Sequence, residues 1–208
     1  MPLPDLLVDG PGSAPLTIAL AHGAGAPMDT EFMDVFAKAI AQQGHRCVRF
    51  EFPYMAHRRA TGKKRPPDRQ PKLLETWQIV IDHLGADSLI IGGKSMGGRM
   101  ATMIADATNV RGVIALGYPF YGAGRADQPR IEHLKTLQTP TLICQGTRDT
   151  LGAYDTVSAL SLSKAITFHW SEDGDHSLKP RKKSGRTQEQ SWNEAADAVE
   201  TFLKTLSS

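Results

Sequence analysis

Short apolar runs alternate along the chain with stretches in which apolar residues recur every three or four positions. Residues 16–21, 88–92, 112–116 and 141–145 are runs of Ile, Leu, Val and Ala with the length of strands rather than helices. Residues 45–52, which carry Cys47, Val48, Phe50 and Phe52 and end at Pro53, read as another strand, and 165–170 as the last. Helical spacing connects Phe32, Met33, Phe36 and Ile40, in a segment opened by Asp29 and ended by Gly44. It recurs at Leu73, Trp77, Val80, Ile81 and Leu84, and at Met96, Met100, Met103 and Ile104, where the methionines read as core. Shorter helices are predicted at 131–137 and 153–163, and a long one carries Trp192, Ala195, Val199, Phe202, Leu203 and Leu206 along one face. Strand and helix in alternation predict an α/β fold, a mostly parallel sheet covered by helices on both faces. Residues 55–72, with Gly62, Pro66, Pro67, Pro71 and many charges, read as a loop.

No repeat or linker interrupts this series, and 208 residues suit one domain, so residues 1–208 are expected to form a single unit. With 40% hydrophobic and 22% charged residues the chain is neither disordered nor membrane-embedded by composition, and no run reaches the roughly 20 apolar residues of a membrane span. Asp5 and Asp9, with no basic region before an apolar run, do not read as a secretory leader, so a cytoplasmic location is the expectation. Cys47 and Cys144 each lie within an apolar strand and lack metal-site spacing, so they read as core thiols.

Charge changes the picture locally. The net +2 conceals a segment from His57 to Lys72 with Arg58, Arg59, Lys63, Lys64, Arg65, Arg69 and Lys72 against the single acid Asp68. A second basic segment holds Lys179, Arg181, Lys182, Lys183 and Arg186 and no acid, which leaves the remaining chain acidic. Two basic loops are thus expected on an acidic body. No aromatic residue is interleaved with the bases from Arg58 to Lys72, which argues against binding of single-stranded nucleic acid.

The candidate chemistry begins at Gly93-Lys94-Ser95-Met96-Gly97, a G-x-S-x-G sequence between an apolar strand and a helix. There the serine is expected on a strained strand-to-helix turn, with its hydroxyl exposed at the carboxyl end of the sheet and the helix N-terminus favouring developing negative charge. A serine hydroxyl needs a base, and the base an orienting acid. Asp149 follows the strand ending at Gln145, and His176 follows the strand ending at Trp170, so both fall at the same sheet edge as Ser95. Asp155, Asp173 and Asp175 remain alternatives for the acid, and Asp149 is also placed to cap a helix near Ala153. An oxyanion hole needs two backbone donors, for which the N–H groups of Met96 and Ala24 are the candidates. His22, Gly23 and Gly25 flank Ala24 and are assigned to substrate binding. The glycine-rich segment lacks a P-loop lysine and the full dinucleotide fingerprint, so no nucleotide, cofactor or metal is expected.

These segments, A-H-G-A-G-A-P-M from Ala21, G-G-K-S-M-G-G-R from Gly92, Q-G-T-R-D from Gln145 and G-D-H-S-L from Gly174, resemble the small lidless α/β-hydrolases related to dienelactone hydrolases. They look like a group of predicted hydrolases that includes the hydrolase-like subunit of an NSL histone acetyltransferase complex. The family's chain order of Ser, acid, then His agrees with Ser95, Asp149 and His176. Dienelactone hydrolases proper use a cysteine nucleophile, so Ser95 takes lactone chemistry out of the expectation. Roughly twenty residues separate Leu116 from Pro140, too few for a large cap. The resemblance implies a cofactor-free, carboxylesterase-like serine hydrolase acting on a small ester-type substrate. If the basic loops rim the site, as strand ends sharing one edge would place them, the substrate is expected to be anionic. The competing reading is a catalytically silent scaffold that binds a protein or nucleic-acid partner through those loops.

Overall fold

The computed structural model describes residues 1–122, 124 and 128–206. Its sheet has the order β1-β3-β2-β4-β5-β6-β7, from β1 (Leu6–Asp9), β2 (Thr17–Ala21), β3 (Arg46–Phe50), β4 (Leu89–Lys94), β5 (Gly112–Leu116), β6 (Thr141–Gly146) and β7 (Ile166–Ser171). Every pairing is parallel except that of β1 with β3. The helices are α1 (Glu31–Gln42), α2 (Pro53–Thr61), α3 (Gln70–Leu84), α4 (Met96–Thr108), α5 (Tyr154–Val157) and α6 (Gln188–Leu206).

Each face of the sheet has its own core. On one, Phe32, Phe36 and Ile40 of α1 pack with Trp192, Val199 and Leu203 of α6 over Ile18, Leu20, Ile90 and Ile114. On the other, Trp77 and Val80 of α3 join Met100 and Ile104 of α4 over Ala19, Ile91, Val113 and Ile143. Strands β2, β4, β5 and β6 are covered on both sides, which explains why they read as continuous apolar runs instead of alternating ones.

Three predicted elements are corrected, and one strand escaped prediction. Residues 55–72 are not one loop: α2 begins at Pro53, α3 begins at Gln70, and only 62–69 connect them. Proline was the misleading signal, because Pro53 and Pro71 sit in first helical turns, where the missing N–H has no partner to lose. The helix expected at 153–163 is the single turn α5, after which Leu160 and Leu162 reach the core from irregular backbone. Strand β1 escapes the pattern because it is a short antiparallel edge strand with Leu7 and Val8 exposed. The segment expected at 131–137 forms a 3₁₀ turn, Glu132–Lys135. The connection from β5 to β6 carries no cap among the described residues; positions 123 and 125–127 within it lie outside them.

Candidate active site

Ser95 is the junction between β4 and α4, with φ 51° and ψ −114°, a region that side chains rarely enter. The surrounding packing holds it there. Its N–H donates to the Leu116 carbonyl (3.0 Å), and its own carbonyl accepts the Arg99 N–H (3.0 Å) to start α4. A Cβ at Gly93 or Gly97 would collide with the Ala21 carbonyl, so glycine at both lets β4 and α4 close on β2.

Three strand ends converge on this turn. The Ser95 hydroxyl donates to His176 Nε2 at 2.8 Å, and His176 Nδ1–H donates to Asp149 Oδ2 at 2.7 Å. Asp149 is fully buried in the turn after β6, with its other oxygen accepting the Leu151 N–H (2.8 Å). That bond shapes its own turn; the helix-capping role is absent, since the N-cap of α5 is Ala153 and receives no side-chain bond. Asp173 and Asp175 are engaged elsewhere: Asp173 grips Arg181, and Asp175 accepts the N–H groups of Ser177 (2.8 Å) and Lys179 (3.0 Å), bending the loop that presents His176. Helix α6 secures this loop through Trp192 Nε1–H to the Ser177 carbonyl (2.9 Å).

The segment after β2 faces Ser95. Tyr54 Oη–H donates to the Ala24 carbonyl (2.9 Å), and His22 Nδ1–H to the Gly23 carbonyl (2.6 Å). A trans peptide directs its N–H opposite to its C=O, so anchoring the Gly23 carbonyl turns the Ala24 N–H the other way. That N–H has no acceptor among the described residues, and Met96, as the first residue of α4, has no intrahelical one. Gly23, Ala24 and Gly25 line a cleft at Ser95. His22 corrects the expectation: it is fully buried and lines neither cleft at Ser95, and its Nε2 accepts the Phe52 N–H at 3.1 Å. Burial lowers its pKa, so the neutral ring is a strut beneath the segment rather than a substrate contact.

Two clefts meet at Ser95. One, of about 470 Å³, is walled by Gly23, Ala24, Phe32, Met33, His176 and Ser177. The other, of about 490 Å³, contains Ala24, Met96, Arg99, Arg130 and Asp68. The basic residues of the two charged segments do not line these walls. Arg59 pairs with Glu51 and Asp29, Arg65 and Lys72 with Asp68, Arg181 with Asp173, and Arg186 with Glu194. Arg58 donates to the Gly25 carbonyl (3.0 Å), bracing the segment after β2.

Sequence reasoning missed three contributors. Gln145 is fully buried and donates to Asp149 Oδ2 (2.8 Å) while its Oε1 accepts the Tyr118 N–H (2.7 Å). Lys94 donates to the His176 carbonyl and lies over the Phe32 ring; burial pushes its pKa down to about 8 against the pull of Asp149 and Asp175. Arg99, one turn into α4, faces the second cleft. A polar residue inside an apolar strand was the available signal for Gln145. Among the described residues no His, Cys, Asp and Glu cluster could hold a metal, and no helix is long and apolar enough to cross a membrane.

A family profile described as an alpha/beta hydrolase domain matches residues 14–204. The chain belongs to this α/β-hydrolase family. Solved members of the fold superpose over nearly all of the chain. A serine hydrolase without lid from Xanthomonas campestris has 18% identity, a TM-score of 0.71, and covers 97% of this chain and 88% of its own. An alpha-beta serine hydrolase homologue from Coxiella burnetii has 21% identity, a TM-score of 0.68, and coverage of 92% and 90%. Est1E from Butyrivibrio proteoclasticus has 13% identity, a TM-score of 0.71, and coverage of 97% and 93%. At these identities the likeness is one of fold. Comparison with functionally curated sequences gives no match.

Proposed function

We propose that this α/β-hydrolase is a serine hydrolase that cleaves carboxylic esters, with residues 1–208 acting as one unit. The observation that carries the reading is the unbroken relay from the Ser95 hydroxyl through His176 to buried Asp149, at 2.8 and 2.7 Å. Distances of this kind let the imidazole take the hydroxyl proton as the oxygen attacks a carbonyl carbon. Asp149 keeps Nδ1 protonated and leaves Nε2 free to accept, and Gln145 holds Asp149 in turn. The negative charge that develops on the carbonyl oxygen is met by the N–H groups of Met96 and Ala24, backed by the N-terminus of α4. His176 then returns the proton to the departing alcohol. Water repeats the sequence on the acyl-enzyme and frees the acid.

The cleft containing His176 is the one from which the alcohol leaves, because that group must receive its proton there. Its Phe32 and Met33 suit an apolar alcohol. Lys94, bonded to the His176 carbonyl, positions the loop rather than the chemistry. The test is hydrolysis of p-nitrophenyl acetate by purified protein and by Ser95→Ala. The variant is expected to fold and to lose turnover to the background rate. Activity retained in the variant would overturn the assignment.

A further inference from the structure

The second cleft is lined by two arginines that nothing in the relay uses. Arg99 projects from the first turn of α4, and Arg130 comes from the segment leading to the 3₁₀ turn. Neither has a carboxylate partner among the described residues, in contrast to Arg49, Arg59, Arg181 and Arg186, each of which has one. Arg99 is partly buried and its Nε has no hydrogen-bond partner; the Tyr118 hydroxyl, close enough to Arg99 to act on its charge, donates to the Arg130 carbonyl (3.0 Å). Tyr118 thus links the two arginine segments. The nearby imidazole adds no third charge: burial and the Arg99 cation push the His133 pKa down to about 4. Asp68 shares the wall but is held by the Tyr54 N–H (2.8 Å), Arg65 and Lys72. Two cations against one tethered carboxylate suit a single negative charge. A planar carboxylate matches the guanidinium fork.

We infer that Arg99 and Arg130 form an anion subsite for a carboxylate at the far end of the acyl group, making hemiesters of short dicarboxylic acids the substrate class. The inference rests on the reading of Ser95 and His176 given above, because it takes its direction from them. The alcohol departs on the His176 side, so the acyl group lies in the other cleft, beside Met96 and toward the arginines. Arg99 is one helical turn from Ser95 and lines the same cleft as Ser95 and Arg130, which suits an acyl chain of a few carbons. The reaction balances. Ser95 Oγ bonds to the ester carbon as the alcohol's C–O bond breaks, and the serine proton passes through His176 to the alcohol. Water then displaces Ser95, giving the dicarboxylate and one further proton. This places the preference for an anion inside the site rather than on the basic segments.

Methyl hydrogen glutarate and methyl pentanoate, followed by acid release, share a leaving group and differ in the charge at the far end of the acyl chain. The ratio of their kcat/KM values is expected to favour the hemiester by roughly tenfold or more at low salt and to fall as salt rises. In Arg130→Gln and Arg99→Gln the ratio is expected to drop toward one, with Arg99→Lys keeping part of it. O-acetylglycolate, whose carboxylate is on the alcohol, is expected to show no such gain over propyl acetate. Arg130 is exposed, so its variant decides the matter if Arg99→Gln fails to fold. A ratio near one in the wild type, a ratio that survives Arg130→Gln, or a preference that follows the alcohol's carboxylate overturns the subsite while leaving the Ser95 reading standing. If no ester is hydrolysed, that reading fails by itself, and calorimetric titration with glutarate judges the subsite alone. Binding by the wild type that is lost in Arg130→Gln supports it, and no binding by the wild type overturns it.

Discussion

Among individual residues, Lys94 is the clearest case of a group whose cost and use are both visible. Its ammonium is withdrawn from water between Phe32 and the His176 carbonyl, and the withdrawal lowers its pKa from 10.5 to about 8. Below that value the lysine is charged in the folded and the unfolded chain alike, and the folded chain bears the desolvated charge. Between about 8 and 10.5 the folded chain has released the proton and the unfolded chain retains it, so stability from this group rises as pH rises through the window. Lys94→Met removes that titration. The Tm of the wild type minus that of the variant is therefore expected to become more positive between about pH 7 and about pH 10, read by thermal melts. A difference that stays constant or shrinks would contradict the placement of Lys94. In the sequence Lys94 was only the variable position of G-x-S-x-G; its role depends on Gly117 and His176, which approach it from β5 and from the loop after β7. Gln145 was hidden for a related reason: its neighbours made a strand legible, and its side-chain partners come from two turns, those after β5 and β6.

The elements were legible where burial imposes a period. Strands β2, β4, β5 and β6 and the apolar faces of α1, α3, α4 and α6 were all readable, because two-sided or one-sided burial leaves a strong pattern. It failed for β1, whose edge position demands little of its side chains, and for α2, whose apolar anchors are only Tyr54 and Met55. The turn joining β4 to α4 was legible for a different reason, since its glycines are required by backbone approach. Gly97→Ala places a methyl group against the Ala21 carbonyl and forces α4 away from β2. This is expected to destabilise the protein by about 1–3 kcal/mol in urea unfolding and to lower ester turnover by displacing Ser95. Full stability together with full activity would show that the close approach is not needed.

Over the whole molecule, the parallel sheet explains why residues far apart in the chain meet. Ser95, Asp149 and His176 follow β4, β6 and β7, and the segment bearing Ala24 follows β2, so all four stand at the carboxyl edge. That convergence could be anticipated from chain order. The charge distribution could not: in the basic segments Arg59, Arg65, Lys72, Arg181 and Arg186 are tied into ion pairs with Glu51, Asp68, Asp173 and Glu194, and the arginines of the second cleft come from α4 and from the β5–β6 connection. The central claim is that the fold activates one serine. A fluorophosphonate probe measures this without reference to substrate, and intact mass with peptide mapping reads where it bonds. The expected result is one label per chain, on Ser95, absent in Ser95→Ala and strongly slowed in His176→Ala. An unlabelled wild type, or a label carried by another residue, would contradict it.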